Sequence, residues 1–190
     1  MKKALLIIGI IGVLVLAAIL IRFFNTDRFS MTENLKVESD AFENGGNIPV
    51  KHTGKGEDVS PSLMLDGICQ DAVSMVVIMD DLDFPLGTYN HWVMWNIPAS
   101  FSVIPEAVPK QTVVSSLGNA VQGKSNYGGK HYYRGPLPPF GSHTYVFKVF
   151  VLDTMLELDS EAGKSQVMKA MDGHILQYGT LTGQFEQVKE

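Results

Sequence analysis

The amino-acid sequence predicts a mainly β domain, on three observations. Eighteen glycines and nine prolines among 190 residues gather in turn-like stretches such as Asn44-Gly45-Gly46-Asn47, the composition of a chain with many short connections. Runs of strand length at 74–79, 92–97 and 144–152 are rich in β-branched and aromatic residues and are bounded by turn residues. The 99–112 stretch follows Pro98 and carries Pro105 and Pro109, so it reads as an extended connection and not as a helix. The length suits one domain with an appendage and is enough to bury a core, and neither a repeat nor a low-complexity tract interrupts it.

The appendage comes first. Lys2 and Lys3 precede residues 4–21, eighteen positions without a charge, and Arg22 closes the run. A bilayer span needs about 18 or more apolar residues, whereas the apolar core of a cleavable signal has about 7 to 15. Leu16-Ala17-Ala18-Ile19 is also a poor cleavage site. The expectation is a retained transmembrane signal anchor over residues 1–24, a polar tether over 25–34 and the folded domain over 35–190. The two lysines keep the N-terminus inside, which predicts a single-pass protein of the cell membrane with its domain on the extracytoplasmic side. Secretion after signal cleavage is the alternative.

Within the domain, residues 35–42 alternate weakly, as an exposed strand does, and the 44–47 turn follows. Residues 116–140 are the longest stretch without apolar periodicity. A loop of more than about 12 to 15 residues in a compact domain is functional or disordered. The aromatics, glycines and cations of Asn126-Tyr127-Gly128-Gly129-Lys130-His131-Tyr132-Tyr133-Arg134 suggest an ordered binding loop. Residues 160–172 are the helix candidate, with Ser160 as cap of the helix or of its preceding turn, Val167 and Met171 on one face and Gly173 just past the end. Strand character returns over 175–188.

Charge and cysteine use narrow the function. Three of the fifteen basic residues and none of the twenty acids precede Asn25, so the remainder carries a formal net charge of −8. An acidic domain without a basic stripe excludes nucleic-acid binding and broad adhesion to anionic lipid. Any anion must be held by a local pocket. The single cysteine, Cys69, rules out an intramolecular disulfide and a cysteine metal knuckle.

The stretch from Met79 to Asn96 organises the chain. The apolar run Val76, Val77 and Ile78 opens into the carboxylates Asp80, Asp81 and Asp83; a Pro/Gly turn follows, and His91 begins a second aromatic strand. Asp81 and Asp83 lie two apart and would share a side in extended backbone. The pattern Asp81-x-Asp83-x-Pro85 with His91-Trp92, followed by Gly135-Pro136-x-Pro138-Pro139-x-Gly141-x-His143-x-Tyr145, resembles the phosphatidylethanolamine-binding protein family. The bacterial Raf kinase inhibitor-like branch fits best, over residues from about 35 to 188. The resemblance implies a large antiparallel sheet flanked by a smaller sheet with few short helices. It also implies an anion pocket lined by Asp81, Pro85, His91, Gly135, Pro136, His143 and Tyr145, with Asp83 bracing the turn. No cofactor and no metal are implied. Two departures stand out: Leu65 replaces a packing tryptophan of the family, and Leu137 replaces a cysteine common among bacterial relatives.

The residue chemistry agrees with anion capture. Imidazoles donate hydrogen bonds and carry charge when protonated, Tyr145 supplies a hydroxyl on the face of His143, and Gly135-Pro136 offers backbone without bulk. The carboxylates either orient an imidazole or stay protonated beside one another. His131, Tyr132, Tyr133 and Arg134 are candidate selectors for the rest of the ligand, whereas His52 and His174 read as structural. The expected activity is binding of a small anion or phosphorylated head group, without catalysis and with possible regulation of a protein partner. Two alternatives remain open: an exported protease- or kinase-inhibitor-like interaction protein, and a metal-dependent hydrolase using the Asp/His cluster.

Overall fold

Side-chain alternation along the strands sorts the apolar residues into two cores, one on each face of a central sheet. The structure, a computed structural model, describes residues 33–187. Its strands are β1 (Lys36–Glu38), β2 (Leu63–Asp66), β3 (Ser74–Asp81), β4 (Tyr89–Pro98), β5 (Val103–Ile104), β6 (Val113–Val114), β7 (Ala120–Gln122), β8 (Ser142–Leu152) and β9 (Ile175–Glu186), with helix α1 (Lys164–Met171) between the last two. β1, β2 and β5 form a three-stranded sheet in the order β1-β2-β5; the others form a six-stranded sheet in the order β6-β7-β4-β3-β8-β9. Every pairing within the two sheets is antiparallel. The protein is mainly β, as its sequence predicts.

All eight residues of β3 are buried because the strand is covered on both faces. Met75, Val77 and Met79 pack with Trp92, Tyr145 and Phe147 against Val37, Leu63 and Leu65 of the small sheet. Val76 and Ile78 face the other way, onto Val93, Trp95, Phe150 and the α1 residues Val167 and Met171. Leu65, where the resemblance implies a packing tryptophan, is a core residue. At the far edge the small sheet lies so close to β9 that a Cβ on Gly179 would come within 2.1 Å of the Leu35 carbonyl oxygen, so only glycine fits there.

Several boundaries differ from expectation. The 99–112 connection contains the two-residue strand β5, and the long 116–140 loop contains β7. Helix α1 begins at Lys164 with Gly163 as its N-cap, Ser160 lies in the turn before it, and the Gly163 N–H is held by the Gln166 side chain at 3.1 Å. Gly173 sits just past the end at φ 80°, as predicted. The expected anchor and most of the tether lie outside the described residues. Among the described residues no helix is long and apolar enough to cross a membrane. The membrane localisation is corrected on that finding and carries no part of the functional reading.

Candidate functional site

Three strand ends build the site. β3 ends at Asp81, β4 begins at Tyr89 and β8 begins at Ser142, so antiparallel pairing brings all three to one end of the large sheet. On β8, His143 and Tyr145 share a face by two-residue alternation. On β3, Asp81 pairs with Tyr145.

His91 reaches this face through a β-bulge. Met79 pairs with Trp92 and Asp80 with Asn90, so His91 is the extra residue of β4. Regular alternation would put Asn90 and Trp92 on one face. The bulge sends Asn90 instead to the α1 side, where its amide nitrogen bonds Asp80, and re-aims His91. The His91 ring meets Tyr145 edge-on with centroids 5.4 Å apart, and Tyr145 stacks on His143 at 6.4 Å. The two imidazoles therefore flank one tyrosine at the same end of the sheet.

Within the pocket the polar atoms are mostly fixed. His143 donates from Nδ1 to Asp81 Oδ2 at 2.7 Å, and the other Asp81 oxygen accepts the Asp83 N–H at 2.9 Å. His91 donates from Nδ1 to the Arg134 carbonyl at 2.8 Å. Burial lowers its pKa, and this outweighs the Arg134 carbonyl and the Asp81 charge acting in the opposite sense. The Tyr145 hydroxyl is buried without a well-formed hydrogen bond, although Asp81 and the Leu137 backbone N–H lie close enough to act on it. Burial, and secondarily Asp81, pushes its pKa far up, so it stays a neutral donor. Tyr89 and Tyr127 wall the His91 side at 5.4 and 5.6 Å between centroids, and the exposed Phe140 lies edge-on to His143 at 6.5 Å.

The loop before β8 is clamped from behind by Asp58. One Asp58 oxygen accepts the Gly135 N–H at 2.7 Å and the other pairs with the Arg134 guanidinium at 3.1 Å. Arg134 also lies over the Tyr127 ring at 4.9 Å. A Cβ on Gly135 would come within 2.2 Å of the His52 carbonyl oxygen. This glycine is required by close packing against the 50–52 turn, and its N–H is already bonded, so the expected open approach for a phosphate at Gly135 is corrected. Pro136 is buried, with its carbonyl accepting the Gly54 N–H at 2.9 Å.

Other expected site residues divide. Asp81, His91, His143 and Tyr145 converge. Asp83 accepts the Thr144 N–H at 2.7 Å and ties the β3 exit to β8. Pro85 is exposed in the β3–β4 turn. Tyr133 is 1% exposed in the main core, its hydroxyl bonded to the His52 carbonyl, and so packs the domain instead of selecting a ligand. Arg134 positions the loop. His131 pairs with Glu161 at 3.4 Å, and Tyr132 lies under Lys110. His52 and His174 bond the Val59 carbonyl and Asp153, in keeping with structural roles. Among the described residues no three His, Cys, Asp or Glu side chains are placed to hold a metal ion.

Sequence reasoning missed Asp58 and Tyr89 as members of this site, and placed Tyr127 in the binding loop without naming it beside His91. Tyr127 carried a signal, being an aromatic before Gly128-Gly129 in the long loop. Asp58 carried none, since its role depends on a partner 77 positions away.

Comparison with known proteins agrees with this architecture. The family model described as phosphatidylethanolamine-binding protein matches residues 38–186. A UPF0098 protein of Pyrococcus abyssi is 46% identical over 157 residues, 82% of this chain and 86% of the relative. One of Archaeoglobus fulgidus is 43% identical over 157 residues, 83% of this chain, and the chain spans only 53% of that relative's length. A crystal structure of a phosphatidylethanolamine-binding protein homolog from Chlamydia trachomatis is similar with TM-score 0.74 and 31% identity, over 83% of this chain and all of the other.

Proposed function

Because the chain belongs to the phosphatidylethanolamine-binding protein family, a family with a binding fold, we propose that the pocket at the ends of β3, β4 and β8 reversibly binds a small anion or phosphorylated head group, as a binder without a catalytic step. The observation that supports this reading is the Tyr145 hydroxyl, buried beside two imidazoles without a well-formed hydrogen bond, Asp81 and the Leu137 N–H acting on it only loosely. A buried donor without an acceptor is costly and is found where a ligand supplies what is missing. His143, braced by Asp81, adds a second nitrogen to the same space.

The inhibitor-like alternative would use Tyr132, Tyr133 and Arg134 as contacts, but Tyr133 is core and Arg134 is committed to Asp58. A partner that reads ligand occupancy would more naturally meet Phe140, which is exposed beside His143. The hydrolase alternative gains no support from the side-chain placement.

The test is thermal stabilisation by phosphate and phosphoethanolamine. A ligand at about 100 times its Kd adds about 2.7 kcal/mol. Wild-type protein should show a rise in Tm, and Tyr145→Phe and His143→Ala should lose it while remaining folded. An unchanged Tm at every concentration would refute the reading.

A further inference from the structure

A second cleft, of about 540 Å³, lies on the α1 side of the large sheet, between the first turn of α1 and the loop that follows β7. Small-molecule sites have volumes of roughly 300–1,000 Å³. Its lining includes Asn90, Lys124, Ser125, Glu161, Lys164 and Met168, and none of the cluster Asp81, His91, His143 and Tyr145. Asn90 sets its chemistry. Three acceptors surround the Asn90 amide nitrogen: the Met79 carbonyl at 3.1 Å, Asp80 Oδ1 at 3.1 Å and the Trp92 carbonyl at 3.0 Å. They fix the orientation of the amide, because an oxygen in that place would face three oxygens that accept. Asn90 Oδ1 is thereby left buried without a donor. Ser125, 5% exposed, also has its hydroxyl buried without a partner.

A group that satisfies Asn90 must donate, which a carboxylate or sulfate cannot do. An ammonium ligand would donate, but it would enter a wall that already holds Lys124 and Lys164. The acids nearby are engaged: Asp80 holds Lys164 at 2.9 Å and Lys148 at 3.0 Å, and Glu161 is paired with Lys124. Charges in and under the cleft are thus matched within the protein, and the unmet polar atoms are neutral. A hydroxyl suits both halves of this lining, since its hydrogen goes to Asn90 Oδ1 or Ser125 Oγ while its oxygen accepts from Lys124, whose ammonium has three hydrogens. Met168 adds an apolar surface for C–H groups. We propose that this cleft is a second ligand site, which binds a neutral polyhydroxylated small molecule of the monosaccharide or cyclitol class. The inference stands apart from the anion-binding reading and uses none of its residues.

The experiment is titration of the full chain with glucose, ribose and myo-inositol, and with acetate and ethylammonium as charged probes, followed by proton–nitrogen amide spectra. At least one neutral probe should bind with a Kd of about 1–10 mM, and both ions about tenfold or more weakly. The shifts should centre on the Asn90 side-chain amide and the backbone amides of Ser125 and Ser165. Ser125→Ala removes a buried hydroxyl that has no partner, so the fold should persist while the neutral probe binds about threefold to tenfold more weakly. Ser165→Trp, at an exposed position on the cleft wall, should abolish binding by filling the mouth. The dispersion of the same spectra checks that each variant folds, and if the tryptophan variant does not, Ser125→Ala and the wild-type shifts decide. Absence of binding by all three neutral probes, tighter binding of acetate or ethylammonium, shifts centred on His91 and His143, or binding unchanged in the folded variants would each overturn the inference. None of these outcomes bears on stabilisation by phosphate, and failure of that stabilisation leaves this site standing.

Discussion

Tyr145 and His91 are both poor choices for stability alone. The Tyr145 hydroxyl makes no well-formed hydrogen bond, and a poorly met buried polar group costs up to about 1–3 kcal/mol; phenylalanine would keep the ring contacts and remove that cost. His91 is held neutral by burial, its folded pKa lying below the value of the unfolded chain. The sign follows directly. Between those two pKa values the unfolded state binds more protons, so stability rises with pH. Its contribution is complete above the unfolded value of about 6.5 and is lost as pH falls from there through the lowered folded value. Unliganded protein should therefore lose Tm on acidification from pH 7.5 to 5. Because other histidines titrate in the same range, the check is a difference: His91→Gln should show a shallower loss than wild type, and parallel curves would contradict the assignment.

At the scale of elements, the site depends on one loop held by one carboxylate. Asp58 sits at φ 57°, in the left-handed region that aspartate tolerates better than most residues. From there it holds Gly135 and Arg134, and the Arg134 carbonyl in turn orients His91. Asp58→Ala leaves an amide and a half-buried guanidinium without an acceptor, and should destabilise by about 2–3 kcal/mol. Asp58→Asn keeps an acceptor for Gly135 and should lose about 1 kcal/mol. Denaturant melts measure both, and phosphate affinity should fall in the same order because the His91 anchor loosens. None of this was readable along the chain. The strands β3, β4, β8 and β9 were, because eight or more residues suffice for burial and periodicity to show. The strands β5, β6 and β7, at two or three residues, are too short for any period. The pairing of His91 with His143 was legible through the two motifs, but the bulge that turns His91 into the pocket arises from register against β3, a relation between strands. Gly135 was legible as a site where bulk is forbidden, although the obstacle proved to be backbone and not a ligand.

Across the whole molecule, an anion pocket sits in an acidic body: beyond residue 24 the formal net charge is −8. Phosphate binding by a basic surface weakens with salt because added ions screen an attraction. Here the long-range field opposes the ligand, and the favourable contacts are short-range hydrogen bonds from a water-poor pocket, which salt screens far less. The two contributions respond to ionic strength in opposite ways, so the sign of the salt effect reveals which one dominates approach. Between about 0.01 and 0.15 M ionic strength the screening length falls from roughly 30 to 8 Å, which removes most of the repulsion between a phosphate in solution and the carboxylates scattered over the surface. The association rate and affinity for methyl phosphate should therefore hold constant or rise, by up to about threefold, as potassium chloride is added across that range. Stopped-flow or calorimetric titration at fixed pH measures this, and a steep decline would show that surface cations, not the buried cluster of Asp81, His91, His143 and Tyr145, hold the anion.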